Sequence, residues 1–163
     1  MKLNRQPLAV KVLISGFLFS LLVGFGISVF QIHDRTGFSV AKTVVHYRGV
    51  EGGSLDGELH LPPTYQTLLS VAHVHTMSQP VMFFLVGFLF VGTALSERLK
   101  IFFIVLLFGS SLLSNASPWL VRYLSVKTVV LFPLSASLMI GLFLLMSGVI
   151  FYDLWRSDDD STL

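Results

Sequence analysis

Four long apolar segments lie within this chain of 163 residues, and they constrain its fold more than any other feature. A helix needs roughly 20 apolar residues to cross the hydrocarbon core of a bilayer. A soluble domain of this size has no means of burying so much apolar surface, because 53% of the residues are hydrophobic and only 12% are charged. We therefore predict an all-α fold, an integral membrane four-helix bundle. It forms a single membrane domain over residues 1–163, with spans at about 8–30, 68–95, 100–120 and 128–152.

The segment 31–66, between the first and second predicted spans, is the longest part of the sequence that does not cross the membrane. Ser39 is a suitable N-cap and Gly49 a suitable terminator for a short helix. The glycine-rich residues 51–57 predict a loop instead. We expect this short helix and loop to lie at the outer face of the bundle.

The charged residues predict the orientation of the bundle and exclude one class of partner. Lys2, Arg5 and Lys11 lie at or before the start of the first span, and basic residues near the first span favour the cytoplasmic side. Four spans return the C terminus to that side, so we predict that both termini are cytoplasmic. The net charge is only +2 and no run of Lys or Arg occurs, so we expect no nucleic-acid partner.

All five histidines fall on the predicted outer side: His33, His46, His60, His73 and His75. His33 follows the first apolar run closely and His75 precedes the inner end of the second span by about twenty residues, so we expect similar depths for both. The chain has no cysteine, which excludes thiolate metal sites and c-type haem. A b-type haem needs only two axial imidazoles. We predict haem b, with His33 and either His75 or His73 as the ligands of its iron.

The propionates of such a haem need cationic or hydroxyl partners, and Arg35, Arg48 and Tyr47 lie on the same predicted side. No nucleophile–base arrangement and no paired intramembrane carboxylates occur in the sequence, so we predict no catalytic residue. The leading hypothesis is a non-catalytic membrane subunit that binds b-type haem near the outer face. It would relay electrons between quinone or a membrane partner and an external redox protein.

A stripe of small residues on the first span supports a different hypothesis. The stripe consists of Gly16, Ser20, Gly24 and Ser28, spaced by four and therefore on one helical face. We predict a packing face, used either by another helix of this chain or by a second protein. Use by a second protein would make the chain a cofactor-free scaffold or assembly subunit of a larger membrane complex.

A third hypothesis is an outer-face copper or zinc site formed by His73, His75 and Met77. Imidazole and thioether groups are suitable ligands for these metals. However, two residues that are two positions apart on a regular helix point about 200° apart, because each residue turns the helix by about 100°. The pair can chelate one ion only where the chain is extended.

Polar side chains also follow one face of the third span at its outer end: Ser111, Ser114 and Asn115. The second and third spans are joined by a short connection and must therefore be antiparallel neighbours. We expect these side chains to form hydrogen bonds with polar groups on the second span, at His75, Thr76 or Gln79.

Three segments resemble those of small bacterial inner-membrane proteins with four predicted spans: His33-Asp34-Arg35-Thr36-Gly37, His46-Tyr47-Arg48-Gly49 and His73-Val74-His75. The resemblance covers most of the chain. It implies a multi-pass protein of the bacterial inner (cytoplasmic) membrane, and it assigns no functional residue. The expected partners are the lipid bilayer and other membrane-protein subunits, with quinone as a further candidate.

Overall fold

The computed structural model describes residues 2–37, 39–50, 54–55 and 58–157, with residues 54–55 and 58–59 described by their backbone alone. The described residues contain four long α-helices and one short one, besides brief 3-10 and π-helical turns: α1 Leu8–Thr36, α2 Val40–Arg48, α3 Tyr65–Val91, α4 Glu97–Trp119 and α5 Leu131–Trp155. The four long helices are long and apolar enough to cross a membrane. The prediction of a four-helix membrane bundle with a short helix between the first and second spans is therefore confirmed.

The connection after α2 contains a small element that the sequence analysis did not predict. Two-residue strands, β1 Ser54–Leu55 and β2 Glu58–Leu59, pair in antiparallel register. The rest of the predicted loop at 51–57 lies outside the described residues. Before this connection, Gly49 ends α2 with a φ of 74°, and a side chain there would place its Cβ only 2.9 Å from the His60 carbonyl oxygen. Only glycine fits this close approach.

α1 is longer than the predicted span, which ended at Phe30. It continues to Thr36 because residues 31–36 contain no helix breaker, and it ends where Gly37 adopts a left-handed φ of 55°. The amide of Gly37 donates to the carbonyl oxygen of His33. His33 and Arg35 therefore lie on the last turns of a continuous helix.

The turn between α3 and α4 comes earlier in the chain than predicted. α3 ends at Val91 instead of Leu95, and α4 starts at Glu97, where an acidic side chain suits the positive end of the helix dipole. The turn is held from α5, because the amide of Ala94 donates to Asp153 Oδ2 at 2.5 Å. Thus Lys100, where the predicted third span began, belongs to the first turns of α4.

α5 is the central helix of the bundle and α1 is the peripheral one. α5 packs against α1, α3 and α4, whereas α1 has its main long-helix contacts with α5. Phe25 of α1 stacks on Phe143 of α5 with ring centroids 4.0 Å apart, and Phe83 of α3 completes this aromatic centre. We call the end of the bundle that carries α2 the α2 end, and the opposite end the terminal end.

α3 continues through Pro80 as one helix. A proline at this position is compatible with a single helix or with a new helix capped by Ser78. The structure has the single helix, and Ser78 Oγ donates to the Val74 carbonyl oxygen within it, at 2.8 Å. Proline carries no amide hydrogen, so the carbonyl of Thr76 loses its helical partner.

Candidate functional site

A cavity of about 380 Å³ occupies the half of the bundle nearest the α2 end. All five helices contribute to its wall. Its apolar floor is formed by Phe25, Met82 and Met139, and α2 covers its other end with His46 and Tyr47. Its volume lies within the range of small-molecule sites, and a largely apolar wall with a few polar groups is typical of them.

A polar network crosses from α3 to α4 beside this cavity. The Gln79 side-chain oxygen Oε1 accepts hydrogen bonds from Ser111 Oγ and Asn115 Nδ2, both at 2.8 Å. This confirms the prediction that the polar face of α4 bonds to α3, and Gln79 is the partner. Ser114 of the same face is buried and also lines the cavity.

The network also indicates which nitrogen of the His75 imidazole carries the proton. Because Gln79 Oε1 accepts two bonds, its Nε2 is the donor, and this atom lies 3.4 Å from Nδ1 of His75. An imidazole that accepts at Nδ1 carries its proton on Nε2. His75 lines the cavity, and in this tautomer its Nε2–H group can donate a hydrogen bond.

α2 brings two further polar groups to the cavity. Burial lowers the pKa of the half-buried His46 imidazole below its usual 6.5, and the Arg35 guanidinium lowers it further. Burial raises the pKa of Tyr47 to about 12, against a smaller opposing effect of Arg35. His46 is therefore neutral at pH 7, and the Tyr47 hydroxyl keeps its proton and can donate it. The Tyr47 ring packs edge-on against Phe132 of α5, which holds α2 over the bundle.

The small-residue stripe of α1 faces open space. Ser20, Gly24 and Ser28 line the cavity, and a Cβ added at Gly16 or Gly24 would meet no atom within 4 Å. The hydroxyls of Ser20 and Ser28 donate to carbonyl oxygens of α1 itself. The use of this stripe as a packing face, by another helix of this chain or by a second protein, stays a prediction.

The structure separates the residues predicted to hold haem. His75 and Tyr47 line the cavity, whereas His33, His73 and Arg35 lie outside its wall. Arg48 is used structurally, since its Nε donates to the Val121 carbonyl oxygen at 2.7 Å. The imidazole that shares the cavity with His75 is His46, which the sequence analysis did not include in the ligand pair. The sequence feature that could have indicated His46 is its position next to Tyr47 on the predicted short helix.

The residues of the predicted copper or zinc site lie on a regular part of α3. Of His73, His75 and Met77, only His75 lines the cavity. Among the residues that the structure describes, no group of three or more His, Asp or Glu side chains is placed to hold a metal ion. The copper or zinc hypothesis stays a prediction.

Comparison with known proteins places the membrane domain in a family. Residues 37–161, which contain α2 to α5, match the model of the Aq_1264_TM family, described as a transmembrane helical domain. No curated protein and no solved structure matches the chain. The match covers more than half of the sequence and contains three of the four long apolar helices, α3, α4 and α5. The chain therefore belongs to the Aq_1264_TM family of transmembrane helical domains.

Proposed function

We propose that the chain is a non-catalytic subunit of a membrane redox complex and that its cavity binds the head group of a quinone. The observation that carries this proposal is the pairing of two donors on one apolar cavity. Tyr47 O–H comes from α2 and His75 Nε2–H from α3. A quinone has two carbonyl oxygens, each of which accepts such a hydrogen bond.

The side wall of the cavity supports a ligand that arrives from the lipid. α1 packs on α2 and α5 but not closely on α3 within the described residues. Ser28 of α1, together with Val74 and Ser78 of α3, lines the cavity and is exposed. The cavity therefore opens sideways between α1 and α3, and the isoprenoid tail of a quinone can leave through this opening into the bilayer.

Trp119 provides the readout for a binding experiment, because it lines the cavity. The chain has two tryptophans, so a Trp155→Phe variant leaves Trp119 as the single reporter. The protein in mild detergent is titrated with a short-tail ubiquinone analogue while the fluorescence of Trp119 is followed. We expect saturable quenching. Loss of one hydrogen bond, worth about 1 kcal/mol, weakens binding about fivefold in His75→Ala.

His73 provides the matched control for this titration. It lies two residues from His75 on the same helix and is likewise exposed, but it does not line the cavity. We expect His73→Ala to bind the analogue as the parent does and Tyr47→Phe to bind it more weakly. Quenching that does not saturate, or equal losses in the His73 and His75 variants, would contradict the proposal.

Haem b is the second candidate ligand, favoured because His46 and His75 come from different helices and line the same cavity. A reduced-minus-oxidised visible spectrum of the purified protein tests it, with haem quantified per chain. If His46 and His75 are the ligands, His46→Ala removes the α-band and His33→Ala keeps it. The opposite result would favour the ligand pair predicted from the sequence, His33 with His75 or His73. A colourless folded protein would exclude haem b and leave quinone as the remaining candidate ligand.

The proposed orientation places the α2 end outside the bacterial inner membrane and both termini in the cytoplasm. The chain has no cysteine, so single cysteines can report the side. Lys127 is exposed at the α2 end and Arg98 is exposed at the terminal end. In intact cells, a membrane-impermeant maleimide should label Lys127→Cys and leave Arg98→Cys unlabelled; the reverse pattern would invert the orientation.

A further inference from the structure

A second polar site lies at the α2 end, where α4 loses its regular geometry. Pro118 has no amide hydrogen to donate, and a π-helical turn follows at Leu120–Leu124. In this wider turn the carbonyl oxygen of Val121 accepts a hydrogen bond from Nε of Arg48, at 2.7 Å. The bond brings the guanidinium of α2 next to the backbone of Arg122.

Arg122 follows Val121 directly in the chain and contributes a second guanidinium to this end of the bundle. Its Nε is buried and has no hydrogen-bond partner among the described residues, and its Cζ lies 5.8 Å from the centre of the Tyr123 ring. Both arginines thus turn their Nε edges towards the protein. Within the described part of the chain neither forms an ion pair, so their terminal nitrogens can bind an anion.

Aromatic side chains beside this pair mark its depth in the membrane. Tyr65 packs edge-on against Trp119 and Trp119 stacks on Tyr123, with ring centroids 5.5 Å and 5.9 Å apart. Tyrosine and tryptophan concentrate at the level of the lipid head groups. The neighbouring Leu124 is 70% exposed, which provides an apolar surface for an acyl chain.

We propose that Arg48 and Arg122 together bind the phosphate group of an anionic phospholipid. Planar guanidinium groups bind phosphate oxygens through paired hydrogen bonds. The lipid is favoured over free phosphate because the apolar and aromatic surface lies directly beside the two charges. Neither arginine lines the quinone cavity, although Trp119 borders both sites, and this proposal does not depend on the proposed function. Each basic group near a membrane surface increases affinity for anionic lipid about fivefold.

The test is a titration of the full chain in mild detergent with short-chain phosphatidylglycerol, followed by native mass spectrometry. Phosphatidylcholine with the same chains and inorganic phosphate are titrated in parallel. We expect phosphatidylglycerol to bind at least tenfold more tightly than phosphatidylcholine, and phosphate alone not to saturate a site. Equal binding of the two lipids would overturn the proposal. Saturation by phosphate at the same concentration would identify a free anion as the ligand and overturn the lipid assignment.

Variants identify the arginine that binds. Arg122→Gln should lower the affinity for phosphatidylglycerol about fivefold, while Arg98→Gln, an exposed arginine at the terminal end, should leave it unchanged. Arg122→Lys keeps the charge and should recover part of the loss, which separates binding from a folding defect. Full affinity in Arg122→Gln, or the same loss in Arg98→Gln, would refute the assignment.

Discussion

Replacement of Gln79 by leucine tests the polar network that joins α3 to α4. The side-chain oxygen of Gln79 accepts from Ser111 and Asn115, both at 2.8 Å. Hydrogen bonds between membrane helices contribute on average about 0.6 kcal/mol each, so two such bonds give about 1.2 kcal/mol. Buried donors left without a partner cost about 1–3 kcal/mol. We expect Gln79→Leu to lower the free energy of unfolding by about 1–3 kcal/mol.

The assay is reversible unfolding in mixed detergent micelles, followed by circular dichroism and by tryptophan fluorescence. Ser78→Ala is the matched control, because Ser78 is exposed and its hydroxyl donates only to the Val74 carbonyl oxygen of its own helix. Its change should stay within about 0.5 kcal/mol. A double-mutant cycle of Gln79→Leu with Asn115→Leu should give a coupling energy of about 0.6 kcal/mol.

Two results would refute this reasoning. The first is a Gln79→Leu variant no less stable than Ser78→Ala. The second is strict additivity of Gln79→Leu and Asn115→Leu, which would mean that the 2.8 Å contact between their side chains contributes nothing. Because Gln79 also faces Nδ1 of His75, the same variant should bind the quinone analogue more weakly than the parent does.

Three further predictions concern the cavity, the terminal end and α2. Gly24→Leu should place a side chain in the cavity and weaken quinone binding, measured by titration, whereas Gly16→Leu, outside the cavity wall, should leave binding unchanged. If both variants abolish co-purification with a partner protein, the scaffold hypothesis is favoured. Asp153→Ala should cost about 2 kcal/mol in detergent unfolding, because the Ala94 amide loses a charged acceptor, and an unchanged midpoint would contradict this. Arg35→Gln should raise the pKa of His46 towards 6.5 in an NMR titration, since it removes the lesser of two lowering causes; an unchanged or lower pKa would contradict the assignment. Because the folded-state pKa of His46 lies below its unfolded value, its stability contribution is complete above pH 6.5 and falls as pH drops through the folded-state pKa.

The number and type of the membrane spans were predictable from the sequence. Apolar runs are local properties, and a backbone in lipid must satisfy its hydrogen bonds within a helix. The helix ends were less predictable. α1 runs past Phe30 because a helix needs no apolar side chains once it leaves the lipid, and only the left-handed Gly37 stops it.

One polar contact between helices was also predictable. Ser111 and Asn115 share a face of α4, and the short turn to α3 makes the two helices antiparallel neighbours. Gln79 lies at the same depth in the membrane as Ser111 and Asn115 and can therefore reach that face of α4. Sequence spacing and chain direction were sufficient for this contact.

The sequence by itself determined four membrane-crossing helices, a short helix after the first of them, and a concentration of histidines at one end. The tertiary structure alone decided that α2 covers the bundle, that His46 and not His33 shares a cavity with His75, and that Ser20, Gly24 and Ser28 of the α1 stripe line this cavity. The reason is that hydropathy and helix breakers act within a few residues. The rotation, tilt and neighbours of each helix depend on the packing of side chains far apart in the chain, such as Phe25 on Phe143 and Tyr47 on Phe132.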